Sequence, residues 1–282
     1  MSEAPAEQRV ALADESNDKT NTSVRSRNPI ALYLSRILAL CVVELQHIRH
    51  DRTELYTRLV QPTLWLVLFG GTFAQLRNIP TGDVPYLAYI TPGVITQSVL
   101  FISIFYGITL VWERDSGVLA KLLVTPTPRS AIVAGKAFAA GVRSITQAVA
   151  VLVIAFILGV RYNANVIEYL AALLIVVLSA VLFACVSMCL AGILLKRDRL
   201  MGIGQAISLP LFFASNALYP ITLMPTWLQW VSRFNPLTYQ VNALRHLLLN
   251  TPGNLALDFL VVGATALFGI IAASAAIGRL AR

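Results

Sequence analysis

The sequence predicts an all-α integral membrane fold: six transmembrane helices, an N-terminal interfacial helix, and short re-entrant or interfacial helices before the last span. Three observations carry that expectation. Apolar residues make up 57% of the 282 and charged residues only 13%, about half the charged share of a typical soluble domain. Six apolar runs, at 56–76, 84–111, 132–160, 169–195, 200–221 and 255–277, are each long enough to cross a hydrocarbon core, which takes roughly 20 residues. Lys and Arg crowd alternate run ends, which places both termini on the cytoplasmic side of a multi-pass plasma membrane, with a bacterial cytoplasmic membrane as the expected setting. The excess of 22 basic over 14 acidic residues is read as membrane topology. No nucleic-acid partner is expected, because the basic residues do not gather on one soluble face.

Residues 1–28 are rich in Ala, Glu, Asp, Ser, Asn and Thr and hold too few large apolar side chains to offset chain entropy, so a disordered cytoplasmic tail is expected. Residues 29–282 form one transmembrane domain. From Pro29 the apolar period is helical: Ile30, Tyr33, Leu34, Ile37, Leu38, Cys41, Leu45 and Ile48 share a face, with Arg36, Gln46, His47, Arg49 and His50 elsewhere. That pattern suits a helix lying in the membrane interface. Arg36 interrupts the run, and a seventh span would spoil the alternation of basic residues. His47 and His50 are neighbours on this helix, but with no third ligand nearby in sequence they read as headgroup-level histidines, not as a metal site. Cys41, Cys185 and Cys189 cannot make a disulfide framework; the last two, one helical turn apart in an apolar run, read as packing residues.

The first span opens on Pro62, near a helix start where its missing amide costs least. Its Gly70 and Gly71 are candidates for close helix approach. The second run has no charge between Asp83 and Glu113, and Pro92 with Gly93 is expected to kink it. Its Thr91, Thr96, Gln97, Ser98 and Ser103 need partners in lipid, either a facing helix or a wet path, and Gln97 is the candidate path residue. Arg143 in the third run is costly there unless it snorkels to the interface or meets an anion; snorkelling is the expectation. The fourth run is charge-free scaffold closed by the basic loop at 196–199.

Pro210, Asn216 and Pro220 interrupt the fifth run. Trp227, Leu228, Trp230, Val231 and Phe234 then make an aromatic amphipathic segment suited to the interface. Asn235 and Pro236 break it, and a further helix carries Leu237, Val241, Leu244 and Leu248 on one side, with Asn242 and Arg245 off it. These pieces are too short and polar to be two spans, so they lie along or dip into the outer leaflet. Pro220, Pro225 and Pro236 break helix near one membrane face, which makes Asn216, Tyr219 and the turn from Asn235 to Tyr239 the candidate extracellular gate. Asn216 serves equally well as a bundle residue bonded within its own chain.

The longest charged interruption, residues 112–136, separates the second and third runs. Glu113, Arg114, Asp115 and Ser116 precede an amphipathic stretch with Val118, Leu119, Leu122 and Leu123 at helical spacing. Pro126 and Pro128 stop it, and Arg129 and Lys136 mark re-entry. By pattern this is either a solvated loop or a short helix on the membrane surface. Its wording, E-R-D-S-G, then an apolar turn, T-P, a basic residue and G-K, resembles the cytoplasmic coupling segment of type-2 ABC exporter permeases. The first span and the later S-N-A-L-Y-P, M-P-T-W-L and N-P-L-T-Y with A-L-R resemble the same family, above all its drug-resistance and nodulation-factor export branch. The resemblance implies a permease subunit that moves an amphipathic drug, lipid-linked molecule or saccharide out of the cytoplasm. It implies that Glu113, Arg114, Asp115, Gly117, Leu122, Pro126 and Arg129 dock on a separate ATP-binding subunit. It also implies a second permease copy, identical or different, facing this one among the membrane lipids.

A chain that hydrolysed ATP itself would need G-x-x-x-x-G-K-[ST], but the Gly135, Lys136 pair is followed by Ala137. No catalytic, metal or cofactor residue is expected, and ATP belongs to the partner subunit. An ion-coupled carrier or channel is the competing function. Against it, the spans lack the buried Asp, Glu or His of an ion relay, Asp258 near a span end being the one nearby acid. An intramembrane enzyme is disfavoured by the want of a nucleophile with a base.

Overall fold

The computed structural model describes residues 29–50, 52–74, 84–119, 121, 128–194 and 196–280, and the regular elements among them are all helices, with no strand. The expected tail at 1–28 lies outside the described residues. Helix α1 (Pro29–His50) is the expected N-terminal helix, and α2 (Arg52–Ala74) holds the first apolar run. Helices α3 (Tyr86–Asp115), α4 (Arg129–Ile157), α5 (Val166–Leu194) and α9 (Leu255–Leu280) follow the second, third, fourth and sixth runs. Among the described residues these four are long and apolar enough to cross a membrane. The other two expected spans fall short of that measure. Helix α2 is diluted by its charged first turns and by Gln61, Pro62 and Thr63, while α6 (Arg197–Phe213) has only 17 residues, roughly 26 Å of helix.

Helix α3 has 30 residues, roughly 45 Å, against a hydrocarbon core of about 30 Å. Its Asp115 end therefore projects beyond any bilayer that covers Tyr86. Pro92 sits inside this continuous helix. Gly93 has a different use: a Cβ at this position would strike the Ala217 carbonyl. The glycine is the dent into which the turn after α6 presses.

Helices α3 and α4 run antiparallel, since Glu113 meets Lys136 and Tyr106 meets Arg143. Helix α2 is antiparallel to α3, with Arg58 against Phe105 and Gly70 against Leu87; Gly71, by contrast, faces open space. Helix α5 is the centre of the bundle and touches α3, α4, α6, α8 (Pro236–Leu249) and α9. Small buried residues on it, Ala172, Ser179, Ala180, Ala184, Cys185, Ser187, Ala191 and Gly192, let neighbouring backbones approach closely. Gly107 of α3 lies against Ser187, whose hydroxyl donates to Ile104 O at 2.5 Å.

Two amphipathic expectations meet opposite outcomes. Helix α7 (Thr226–Phe234) presents Trp227, Trp230, Val231 and Phe234 outward, as expected for an interfacial segment. In α1 the stripe is different: Leu34, Leu38, Val42, Val43 and Leu45 are exposed, while Tyr33, Arg36, Ile37, Leu40, Cys41, Glu44 and Ile48 turn toward the bundle. The reason is Glu44, which forms an ion pair with Arg143 of α4 at 2.5 Å. An acid placed next to an arginine outweighs one more leucine in the contact, so the face rotates.

Candidate functional site

At one end of the molecule the α3–α4 hairpin is clasped. The Lys136 ammonium donates to both Glu113 carboxylate oxygens, at 2.6 and 2.5 Å, and both side chains are largely buried, 11% and 23% exposed. The chain then turns. Ser116 and Gly117 donate to the Trp112 and Arg114 carbonyls, and Gly117 takes φ +74°, the left-handed geometry that ends helices without a Cβ penalty. Val118, Leu119 and Lys121 are helical again, with Leu119 buried and Val118 exposed. Leu122 and Pro126 lie outside the described residues. Pro128 immediately precedes α4, and Arg129 is exposed on its first turn. Arg114 and Asp115 pair at 2.9 Å on the surface. The clasp thus joins the bases of two long helices and leaves a charged, partly apolar tip outside them.

A second tie lies deeper. The Arg143 guanidinium is 5.9 Å from the Tyr106 ring centroid while it pairs with Glu44, so α1, α3 and α4 meet at one ionic cluster. The sequence expectation of snorkelling is replaced here by an anionic partner. Burial, aided by Glu44, holds the nearby Cys41 thiol above its usual pKa, so this cysteine is poorly nucleophilic. Trp112 carries Arg197 over its ring at 4.2 Å, which links the base of α3 to the start of α6.

The opposite end is built from the turn after α6, a 3-10 turn (Ile221–Leu223), α7 and α8. Asn216 Nδ2 donates to Asn242 Oδ1 at 2.5 Å, while Asn216 Oδ1 is buried without a hydrogen-bond partner. Tyr219 donates to Phe213 O at 2.9 Å. Asn235 caps α8 by accepting from Leu237 N at 3.0 Å and donates to Leu211 O at 2.6 Å, and Tyr239 donates to Arg233 O at 2.7 Å. The four candidate gate residues therefore share one region, and each bonds within the chain. Gln97 is buried in α3, two turns along the helix from Tyr89.

Sequence reasoning missed the residue that ties this region together. Arg245, placed off the packing side by periodicity, is 6% exposed. Its guanidinium donates to Asn216 O at 2.6 Å, Ala217 O at 3.3 Å and Tyr89 O at 3.3 Å, and lies 3.6 Å from the Tyr89 ring centroid. It satisfies two carbonyls of the turn that follows α6, which lie beyond the helix end and would otherwise be buried without a donor. The A-L-R ending of the family wording was the available signal.

Residues 35–249 match the ABC-2 type transporter family. Among similar proteins is a putative transport permease, ycf38, of Porphyra purpurea, 30% identical over 201 residues that cover 70% of this chain and 68% of that protein. The daunorubicin resistance ABC transporter permease protein DrrB1 of Streptomyces coeruleorubidus is 24% identical over 73% of this chain and 72% of its own. The inner membrane transport permease YadH of Escherichia coli K12 is 28% identical over 67% and 74%. The family match takes in the clasped hairpin, the ionic cluster and the Arg245 region together, and the chain belongs to the ABC-2 type transporter family, as a multi-pass membrane subunit of an ABC transporter.

Proposed function

We propose that this chain is the permease of an ATP-driven exporter, crossing a bacterial cytoplasmic membrane six times with both termini inside and acting with a second permease copy and two ATP-binding subunits. The cargo class is an amphipathic drug, lipid-linked molecule or saccharide; the drug-resistance permeases among its relatives support the first of these. The observation that carries the reading is the Glu113–Lys136 clasp. A partner that pushes on Glu113, Arg114, Asp115, Gly117, Leu122, Pro126 and Arg129 moves α3 and α4 as one body, because their bases are pinned together. That displacement reaches α1 through Arg143 and Glu44, and reaches the Asn216, Tyr219, Asn235 and Tyr239 region through α3, whose Tyr89 and Gly93 hold the opposite end. Gln97 lies along that same helix, on the proposed path. An ion-coupled carrier would work without such a docking segment.

The test is reconstitution in proteoliposomes with the cognate ATP-binding subunit, with daunorubicin as the transport probe and ATP hydrolysis read in parallel. Glu113→Lys is expected to lower drug-stimulated hydrolysis about tenfold or more, since it sets two cations together where a charge-assisted hydrogen bond stood. The swap Glu113→Lys with Lys136→Glu should restore the clasp and much of the stimulation. Equal coupling in the single variant, at equal membrane abundance, would overturn the clasp's role. Daunorubicin movement that needs no ATP-binding subunit would overturn the exporter reading itself.

A further inference from the structure

A cleft of about 250 Å³ opens between α2, α3 and α4. Its polar lining is Thr57, Arg58 and Gln61 of α2, Ser98 of α3 and Gln147 of α4, and Phe105 stands at its mouth, half exposed. Gln147 is 2% exposed. Its Nε2 donates to Arg58 O at 3.2 Å, which fixes the amide orientation, and its Oε1 is left buried without a hydrogen-bond partner. A buried amide oxygen in this state is costly, and a donor that reaches it from the cleft satisfies it. The Arg58 guanidinium lies 5.7 Å from the Phe105 ring centroid, which places a cation at the mouth of the same cleft. Cation and acceptor together select a head that is anionic and also carries a hydroxyl.

An apolar track leads away from the cleft. Val60, Leu64, Val67 and Leu68 of α2 are exposed, at 56%, 50%, 48% and 57%, along the helix above Arg58. The cleft begins at the level of the Arg143–Glu44 pair, where Phe105 lies about two turns above the Glu113–Lys136 clasp, and extends to Ser98 about two turns further. An amphiphile whose head fills the cleft would lay its acyl chains against these side chains. We propose that this cleft is a resident site for an anionic, hydroxyl-bearing phospholipid of the phosphatidylglycerol type, with phosphate on Arg58 and a headgroup hydroxyl donating to Gln147 Oε1. Its assignment to the inner leaflet rests on the proposed topology; the binding does not. Bound there, the lipid wedges α2 against the α3–α4 hairpin, so membrane composition acts on the helices the clasp moves.

The experiment uses the full chain purified in detergent, with native mass spectrometry of complexes formed with phosphatidylglycerol, phosphatidic acid or phosphatidylcholine of matched acyl chains. Wild type should retain phosphatidylglycerol over phosphatidylcholine by about tenfold, the scale of one charge-assisted contact. Arg58→Gln should erase that preference and Arg58→Lys should keep most of it. Gln147→Met should lower phosphatidylglycerol toward the phosphatidic acid level and leave phosphatidic acid unchanged. Equal retention of the three lipids by wild type, or a preference that survives Arg58→Gln, would overturn the site. Proteoliposomes separate a resident lipid from cargo. ATP-dependent translocation of fluorescent phosphatidylglycerol that Arg58→Gln abolishes would assign the cleft to the cargo path and overturn the resident role. Daunorubicin transport in the same vesicles reports on the exporter reading independently.

Discussion

Arg245 shows how a charge is kept inside this bundle without a carboxylate. Its partners are the backbone carbonyls of Asn216 and Ala217, in the turn after α6, and of Tyr89 in α3, with the Tyr89 ring beneath it, so carbonyl dipoles and a ring face take the place of an acid. Removing the guanidinium leaves those carbonyls buried and unpaired. Arg245→Gln is therefore expected to destabilise the folded permease by roughly 1–3 kcal/mol, the cost of leaving buried acceptors unpaired. Arg245→Lys should recover only part of this, because one ammonium cannot reproduce a planar fork reaching two segments while stacking on a ring. Thermal denaturation of the detergent-solubilised protein checks both variants. A lysine variant that melts with wild type would show that charge alone matters here. The sequence did not reveal this arginine's place because helical periodicity sorts residues by polarity, and polarity says nothing about which carbonyls a neighbouring segment will leave free.

At the scale of the element, α3 is organised by close approaches at small residues. Gly93 takes the Ala217 backbone and Gly107 takes the Ser187 backbone, so the same helix touches the turn after α6 at one level and α5 at another. Gly93→Ala should cost about 1–3 kcal/mol, because the clash is with backbone and cannot be relieved by a rotamer change. Gly71→Ala, where the added methyl meets nothing, should be neutral or slightly stabilising, since Ala exceeds Gly in helix propensity by up to about 1 kcal/mol. Comparing the two melting temperatures tests the approach itself against the general effect of removing a helical glycine. The proline–glycine pair was visible in the sequence, but its purpose was not: Pro92 is tolerated in an unbroken helix, and Gly93 answers to a residue 124 positions away. Helix α1 teaches the same lesson. Its existence was legible from the apolar period, yet its packed face was set by Glu44 finding Arg143. Among the described residues helix α7 has no comparable ion pair, and its outward aromatic face was read correctly.

For the whole molecule, the helical class and the order of helices were legible because long apolar runs punctuated by charge admit few alternatives. The number of crossings was less so, since α2 and α6 are polar or short and depend on their neighbours for burial. Orientation is the remaining question, and it sorts cleanly into two ends. The Glu113–Lys136 clasp and the Arg197–Trp112 contact define one end. The other is defined by Asn163, whose amide donates to Leu248 O at 3.2 Å, and by the turn at Asn250, where φ is +53°. Lys121, Arg129 and Arg197 are exposed at the first end, and the positive-inside bias is the ground on which we propose that this end faces the cytoplasm. In a background with Cys41, Cys185 and Cys189 replaced by Ala, a membrane-impermeant maleimide applied to intact cells should label Asn163→Cys and Pro252→Cys. Lys121→Cys and Arg129→Cys should react only after permeabilisation. All four positions are solvent-exposed in the chain, so failure to label reports sidedness and not burial. Labelling of Arg129→Cys on intact cells would invert the molecule, place the clasp out of reach of ATP, and remove the basis for assigning it to energy coupling.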